Sequence, residues 1–468
     1  MTVHDTRSGG RAGDPGAAAP PRDASADAGP DAERSLAERI SRALFFGSTA
    51  LVGFGAVFAA GAHFEREKYW PYRPVERAFD VLGDAMEFGA FAPKYAVGDA
   101  PPDAAREVWK AHVPESELAP GYRAVMGYFR DTADFGVRIH DAAGVEVHRR
   151  TLNYAVQDPD GPTGGSEAPH AFHFLADGSV LVNTDKGDVL TRYDACGEPV
   201  WSRAGAYHHS FAPDPRGGVW TWLGETTAFD QYQTLVRFDP ETGETIETID
   251  LVEDVIEATP EQRAIFTVVP GEDIERAQGY REVPDTFHPN DLEALSPEMA
   301  DAFPGLEAGD LLMSFRNIDL VAVLDPTTRR LRWWSHGPWI EQHDPDFQPS
   351  GEITVFNNNR KWPRKTSSIV AINPATSAVR TLEVDPDHRF YTQYMGKHEI
   401  LADGTLQVVV PFEGRALEFD PDGRLLLEIN NVFGETHNAF LSDYALLPPG
   451  FFDVEPAEFA CAPAPAAS

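Results

Sequence analysis

A hairpin signature recurs six times between residues 136 and 431, and it constrains the fold of this chain more than any other feature. Each copy is an alternating apolar run, an Asp or Asn, a few turn residues, then a second alternating run. The copies are VRIHDAAGVEVH at Asp141, LTRYDACGEPVW at Asp194, VRFDPETGETIE at Asp239, VAVLDPTTRRLRWW at Asp325, VAINPATSAVRTLE at Asn373 and ALEFDPDGRLLLE at Asp420. Their spacings are 53, 45, 86, 48 and 47 residues. Period-2 alternation around Asp, Pro and Gly turns reads as two antiparallel strands. A second motif precedes five of the six hairpins: a His, a short apolar run, a polar-Gly turn and another strand. It begins at His170, at His208-His209, at His288, with His343 and with His398. His170, His209 and His343 each stand eight residues before their turn glycine, Gly178, Gly217 and Gly351. The first hairpin has no such partner before it. The missing half lies at the other end of the chain, as THNAFLSDYALL with His437.

Four strands per unit at this period predict β-propeller blades. The expected architecture is all-β, a six-bladed β-propeller with one blade closed by N- and C-terminal strands, which removes the exposed sheet edges. The 86-residue interval carries an acidic, partly helical insert at about 252–287, and LEALSPEMADAFPG interrupts the fourth blade. Both are expected on one rim, where they would act as a lid.

The ends read differently. Residues 1–42 form a tail rich in Ala, Gly, Pro and Asp, with little to bury, and are expected to be disordered. Residues 43–64 include twenty without a charge, Ala43 to Ala62. A helix of that length matches the roughly 30 Å of a bilayer core, so a single transmembrane helix is expected. A cleaved signal peptide is the competing reading, from Ala60-Gly61-Ala62. Arg34, Arg39 and Arg42 before the segment balance Arg66, Lys68, Arg73 and Arg77 after it, so charge leaves the orientation open. Residues 65–135 read as a stalk of short helices, 136–455 as the propeller and 456–468 as a disordered tail. Cys196 and Cys461 are the only cysteines, which excludes a disulfide scaffold and a four-cysteine zinc site and leaves their own pairing open.

Acidic residues number 74 against 39 basic ones, for a net charge of −35. That surface repels phosphate backbones, so nucleic acid is excluded as a partner. No phosphate loop, Rossmann fingerprint or G-x-S-x-G elbow occurs, and no cofactor is expected. The first strand of each blade lines a propeller's channel, so the recurring histidines would gather near one mouth. Singly, His170, His398 and His437 read as structural rings that satisfy backbone carbonyls. Together, the histidines would serve a metal, nucleophilic and acid–base catalysis, or anion binding with Arg316. Asp344 and Asp291 are the only acidic groups placed to orient metal-ligating histidines, and no metal is assigned.

The ordered runs YHHSFAPDPRGG, FHPNDLEAL…LLMSFRNIDL, EQHDPDFQPSGEITVFNNN and GKHEILADGTLQVVVPFEGRALEFDPDG make the chain resemble the bacterial aryl sulfotransferases that use no nucleotide sulfate donor. The resemblance spans about residues 136–448. It implies a six-bladed propeller, extracytoplasmic, that moves a sulfuryl group from an aryl sulfate to a phenol through a sulfated histidine. On that resemblance His343 is the nucleophile, with His288, Arg316 and His209 as its catalytic partners. Asn290 of the H-x-N element, with His208, His398, His170 and His437, would bind substrate. Tyr207, Phe287, Phe315, Trp339, Tyr391 and Tyr394 would form a phenol slot or pack between blades. Two departures stand out: Asn357 replaces the usual Asp of F-D-N-G, and HPND, with Pro289 and Asp291, replaces H-x-N-S. The alternatives are a non-catalytic propeller binding anionic or aromatic ligands or scaffolding envelope proteins, and a metal-dependent enzyme using the channel histidines. The implied setting is a membrane, single-pass, with the propeller on the outer side, and a homodimer through a propeller face or the stalk is left open.

Overall fold

A computed structural model describes residues 97–152, 169–184, 189–224, 233–266, 286–360 and 366–461. The first strands are β1 (Val97–Asp99), β2 (Trp109–Ala111), β3 (Tyr122–Phe129), β4 (Asp134–His140) and β5 (Glu146–Thr151). Then follow β6 (Pro169–Phe174), β7 (Val180–Thr184), β8 (Val189–Tyr193) and β9 (Pro199–Ala204), and β10 (Ala206–Pro213), β11 (Val219–Gly224), β12 (Gln233–Phe238) and β13 (Thr245–Asp250). The next two sets are β14 (Pro289–Ala294), β15 (Leu311–Phe315), β16 (Leu320–Asp325), β17 (Arg330–His336), and β18 (His343–Phe347), β19 (Ile353–Asn357), β20 (Ser368–Ile372), β21 (Val379–Thr381). The chain closes with β22 (Lys397–Ile400), β23 (Leu406–Val410), β24 (Arg415–Phe419), β25 (Leu425–Asn430), β26 (His437–Ala439) and β27 (Leu441–Leu447).

Six antiparallel sheets form the blades of an all-β, six-bladed propeller. Blade one is β27-β3-β4-β5, so its innermost strand comes from the C-terminal end and the other three from the N-terminal part. Blades two to five are β6–β9, β10–β13, β14–β17 and β18–β21, and blade six is β22–β25 with β2 as a fifth, outer strand. Each repeated hairpin is the outer pair of a blade, and in blades two to six the His-containing motif supplies the inner pair, whereas in blade one it supplies only β27. Blade-to-blade packing is apolar: Trp220 and Trp222 of blade three meet Leu311, Met313 and Phe315 of blade four, all at most 0% exposed.

Three boundaries differ from those read in the sequence. Residues 97–135, read as stalk, carry β1, β2 and β3: Trp109 pairs with Ile429, and β3 is the second strand of blade one. Their apolar positions are too few for a clear alternation, and only the partner strands reveal them. The tail read at 456–468 is ordered as far as Cys461, which is disulfide-bonded to Cys196. Phe452 packs on Tyr122 and Phe174, and Phe459 meets His148 edge-on at 5.0 Å. Gly178 is required beneath it, since a Cβ there would come 2.5 Å from the Phe459 ring at φ +84°. The insert and the blade-four loop also part company. Innermost strands begin at one rim and end at the other, so the 295–310 loop between β14 and β15 lies on the rim opposite the insert, which enters β14 at its start. The insert's described part, Leu251–Phe266, fills the wedge between blades three and four, with Leu251, Val255, Ile256 and Phe266 buried against both. Residues 267–285 lie outside the described residues, as do residues 1–42, read as a tail, and 43–64, read as a transmembrane helix. Among the described residues no helix is long and apolar enough to cross a membrane.

The Cys196–Cys461 bond closes a loop of 265 residues across the seam between blades one and two. Cys196→Ser is expected to lower unfolding free energy by up to about 5 kcal/mol, the upper end of what a long loop yields. Denaturant titration with and without reductant measures this, and a midpoint indifferent to both changes would show that the strap contributes nothing.

Candidate active site

The site begins with backbone distortion in the innermost strands. Their pairing slips register at His170 in β6, across His209–Phe211 in β10, at Asn290 in β14, at Asp344 in β18 and at Ser442 in β27. A bulge re-aims the extra residue and ends regular pairing. His209, His288 and Asp344 also hold positive φ angles of 61°, 47° and 50°. Each costs on the order of 1–3 kcal/mol for a non-glycine residue, and such strain persists only where the surroundings enforce it. In blade six β22 is regular, and there Lys397 faces the channel.

These residues converge on one small cavity of about 20 Å³, lined by His170, His209, Asn290, Asp291, His343 and Lys397 among others. That volume holds about one water-sized atom. The His170 and His209 ring centroids are 4.0 Å apart, and the His209 and His288 centroids 5.4 Å, each pair edge-on. His208 turns away from the cavity lining, with its Nε2 2.7 Å from Gln233 Oε1.

His343 is held most tightly. Its Nδ1 lies 2.7 Å from Asn358 Oδ1. The Asn358 amide donates to Met395 O at 2.7 Å and Thr392 O at 3.2 Å, so its oxygen must face the ring. His343 therefore carries its proton on Nδ1, and Nε2 keeps a lone pair, which accepts from the Met395 N–H at 3.2 Å. Burial, and then the positive charge of Arg316, push the His343 imidazole down to about 3. Burial holds His170, His209 and His288 well below the usual histidine range too, with Arg316 the largest charge acting on His288. All four are neutral at pH 7.

The motif set is knitted together by hydrogen bonds. Asn290 Nδ2 donates to Gln342 O at 2.8 Å, and Gln342 Nε2 donates to Ser314 Oγ at 3.0 Å. The Arg316 N–H donates to His288 O at 3.1 Å. Thus the H-x-N element, Ser314 with Arg316, and Gln342 with His343 form one unit. Asn357, the departure from F-D-N-G, accepts the backbone N–H groups of Ile340 and Asn359 at 2.9 and 3.1 Å, which an amide oxygen does as well as a carboxylate.

Two expected residues lie elsewhere. His437 is exposed and ion-paired with Asp99 at 3.2 Å. It sits in the short β1–β26 pair rather than in an innermost strand. Ser442, five residues on, occupies the bulge that His437 was expected to fill. His398 is buried, and its Nδ1 meets Asp344 Oδ2 at 3.0 Å and its Nε2 meets Thr354 Oγ1 at 2.7 Å. Of the aromatic residues, Phe287, Phe315 and Trp339 are core, and Tyr207 packs between blades two and three. Tyr394 borders the site's cations, 5.4 Å from the Arg316 and 4.4 Å from the Arg360 guanidinium carbon. Asn358, Gln342, Lys397 and Ser442 were not singled out in the sequence. Asn358 and Gln342 adjoin named motifs, whereas nothing in the sequence marks Ser442.

Beyond the cavity the channel is acidic. Asp344, Asp346 and His398 bring three potential ligand atoms within 4.8 Å. Asp344 accepts both the N–H and the Nδ1–H of His398 as a clamp between blades five and six, while the buried Asp346 Oδ2 has no hydrogen-bond partner among the described residues. Burial, and then the neighbouring carboxylates, push Asp346 well above the usual carboxylate range; burial alone is the main cause for Glu293. A carboxyl raised in the fold stabilises below its unfolded value near 4, and that contribution is lost as pH rises through the folded value. The buried histidines, lowered in the fold, act oppositely: their contribution is complete above about 6.5 and is lost as pH falls. Above pH 6.5 the carboxyls remain, and burial pushes Glu399 up to about 7, so the melting temperature is expected to fall between pH 6.5 and 9. Glu399→Gln should shrink that fall, and equal slopes in both proteins would refute the reading.

The family model described as arylsulfotransferase (ASST) matches residues 171–432, more than half of the chain. No curated protein matches it. Similar solved structures include a protein of unknown function from Bacteroides caccae, 11% identical, covering 70% of this chain and 98% of that one at a TM-score of 0.45. Another is the virginiamycin B lyase of Staphylococcus aureus, 11% identical, with coverages of 57% and 71% and a TM-score of 0.33.

Proposed function

The chain belongs to the arylsulfotransferase family, and on that premise we propose that it moves a sulfuryl group from an aryl sulfate ester to a phenolic acceptor, with His343 as nucleophile. The observation that carries the reading is the locked His343 ring. Asn358 holds the Nδ1 proton of a neutral ring beside the cavity, and its Nε2 lone pair, which accepts the Met395 N–H at 3.2 Å, must exchange that weak contact for the donor's sulfur. In the first half-reaction Nε2 attacks sulfur, the N–S bond forms and the S–O bond to the aryl group breaks. In the second, the acceptor oxygen attacks the same sulfur and restores the neutral ring. Arg316, whose charge acts on both His343 and His288, would hold the sulfuryl oxygens as charge spreads over them. Tyr394 beside Arg316 offers an aromatic face for a ring at the mouth.

We place the propeller outside the cytoplasm, anchored by residues 43–64. The Cys196–Cys461 bond supports this, since structural disulfides persist in oxidising compartments. A non-catalytic binding propeller is the second reading, favoured by the small volume of the cavity.

Incubation with 4-nitrophenyl sulfate, with and without a phenol, separates the two. Chromophore release with a mass gain of about 80 Da on the protein, a covalent intermediate, is expected. His343→Ala should abolish both, and Arg316→Ala should slow release by about 100-fold or more. Binding of the ester with neither release nor adduct would replace transfer with the second reading.

A further inference from the structure

The exchange needs a proton carrier, and the histidines are poorly suited to it. The departing aryl oxygen must gain a proton unless its phenol is strongly acidic, and the acceptor phenol must lose one. His209 and His288 are both held neutral at pH 7, so neither has an acidic proton to give. His343 spends its one proton on Asn358. Lys397 is paired with Asp443 at 2.8 Å, and burial opposed by that carboxylate leaves its ammonium held above the usual range, too weak an acid.

Two carboxyls stand on the cavity wall, and Asp344 is spent on His398, which leaves Asp291. Asp291 lines the cavity together with His343, His209 and Asn290, and is only 5% exposed. Its backbone is pinned, since Trp222 Nε1 donates to Asp291 O at 3.3 Å across the seam from blade three. It follows the bulge at Asn290, where the strand leaves regular pairing. It also occupies the position at which HPND departs from H-x-N-S, so this chain has a titratable group where the usual motif has a hydroxyl. From blade three it faces Ser210 and His209; from blade five, Asp344 and His343; from blade six, Lys397. Glu293 on its own strand and Asp346 on β18 add further negative charge. Burial and then Asp344 push the carboxyl up, to about 8, while Lys397 and the Ser210 hydroxyl restrain it. At pH 7 it is therefore protonated, yet within reach of ionisation, as a group that must both give and take a proton requires.

We propose that Asp291 is the proton carrier of both half-reactions. This rests on the sulfuryl-transfer reading. As His343 Nε2 bonds to sulfur and the S–O bond breaks, the Asp291 proton passes to the departing aryl oxygen, leaving a carboxylate. When the acceptor arrives, that carboxylate takes the phenol's proton, the phenol oxygen bonds to sulfur and the N–S bond breaks. Proton, sulfuryl group and charge balance over the cycle with no outside acid or base.

The test varies the leaving group in the full chain and in Asp291→Asn, with Asp291→Ser as a second variant should the first fail to fold. Release of the aryl group in a single turnover, without acceptor, is followed with 4-nitrophenyl sulfate, whose phenolate leaves unaided, and with unsubstituted phenyl sulfate, whose phenolate does not. The variant is expected to release 4-nitrophenol, with the protein adduct, within about threefold of the native rate. Phenol release from phenyl sulfate should be at least about 100-fold slower, the usual weight of general acid catalysis. The native phenyl sulfate rate should also fall above pH 8 as the acid ionises, and the variant should lack that limb. Equal losses with both esters, or an alkaline limb unchanged in the variant, would overturn the assignment. Absence of any adduct or release in the native protein would instead overturn the transfer reading itself.

Discussion

Ring closure in this propeller depends on a polar bridge at every seam between the inner strands of neighbouring blades. Phe172 N–H donates to Asp443 between blades one and two, and Asn183 Nδ2 donates to His209 O between two and three. Trp222 Nε1 reaches Asp291 O, and Asn290 Nδ2 reaches Gln342 O, at the next two seams. His398 grips Asp344, and Lys397 grips Asp443, at the last two. Apolar packing between blades is not directional, so it sets how closely they approach but not their rotation about the channel. A buried donor left unmatched costs about 1–3 kcal/mol, so each bridge fixes a register that packing leaves loose. Blade one carries an extra tie: buried Arg123 makes two bonds to Glu418 of blade six, at 3.2 and 3.1 Å.

The same bridges shape the chemistry. Residues that hold seams are the neighbours, and sometimes the same residues, as those that line the cavity, so precision there follows from closure of the ring. Asn290 spends its amide on Gln342 while its Oδ1 has no hydrogen-bond partner among the described residues. An acceptor left bare at a cavity wall suits a hydroxyl arriving there. Asn358 performs the complementary task, fixing one tautomer of one ring. The histidine pairs stacked edge-on would repel if protonated, and Arg316 adds to that penalty. Neutral rings are the condition under which His343 is a nucleophile.

Closure also explains the two ends of the chain. β27 is the last strand of the ring and the innermost of blade one, and unravelling there would open the channel. The strap that follows it runs to Cys461 and is tied to the turn of blade two at Cys196. From the other end, β2 covers the outer edge of blade six, and Arg415 of β24 reaches Asp103 at 3.1 Å. Both termini therefore brace the seam that the chain itself must close.

The periodic hairpins determined the architecture without help. Alternation and turn residues are local, so six copies and the split first blade were legible, although THNAFLSDYALL pairs with β3, a strand that the sequence reading left in the stalk. The motif set likewise marked His343, His209, His288, Asn290 and Arg316 as companions, and the fold brings them to one end of the channel. What it could not convey depends on contacts between distant residues. His437 holds the motif's place in the sequence, yet a bulge five residues later puts Ser442 on the channel wall, because strand pairing rather than spacing decides which side chain points inward. His398 matched the repeat and became a clamp because Asp344 of the next blade lies against it. The stalk's strands and the disulfide were invisible for a similar reason: three-residue strands and a cysteine in an Ala/Pro tail acquire meaning only from partners some three hundred residues away. Asp291 was visible as a departure from a motif and as an acidic neighbour of His288. Its carboxyl became a candidate acid through burial and through Asp344 beside it, and those are properties of the assembled ring.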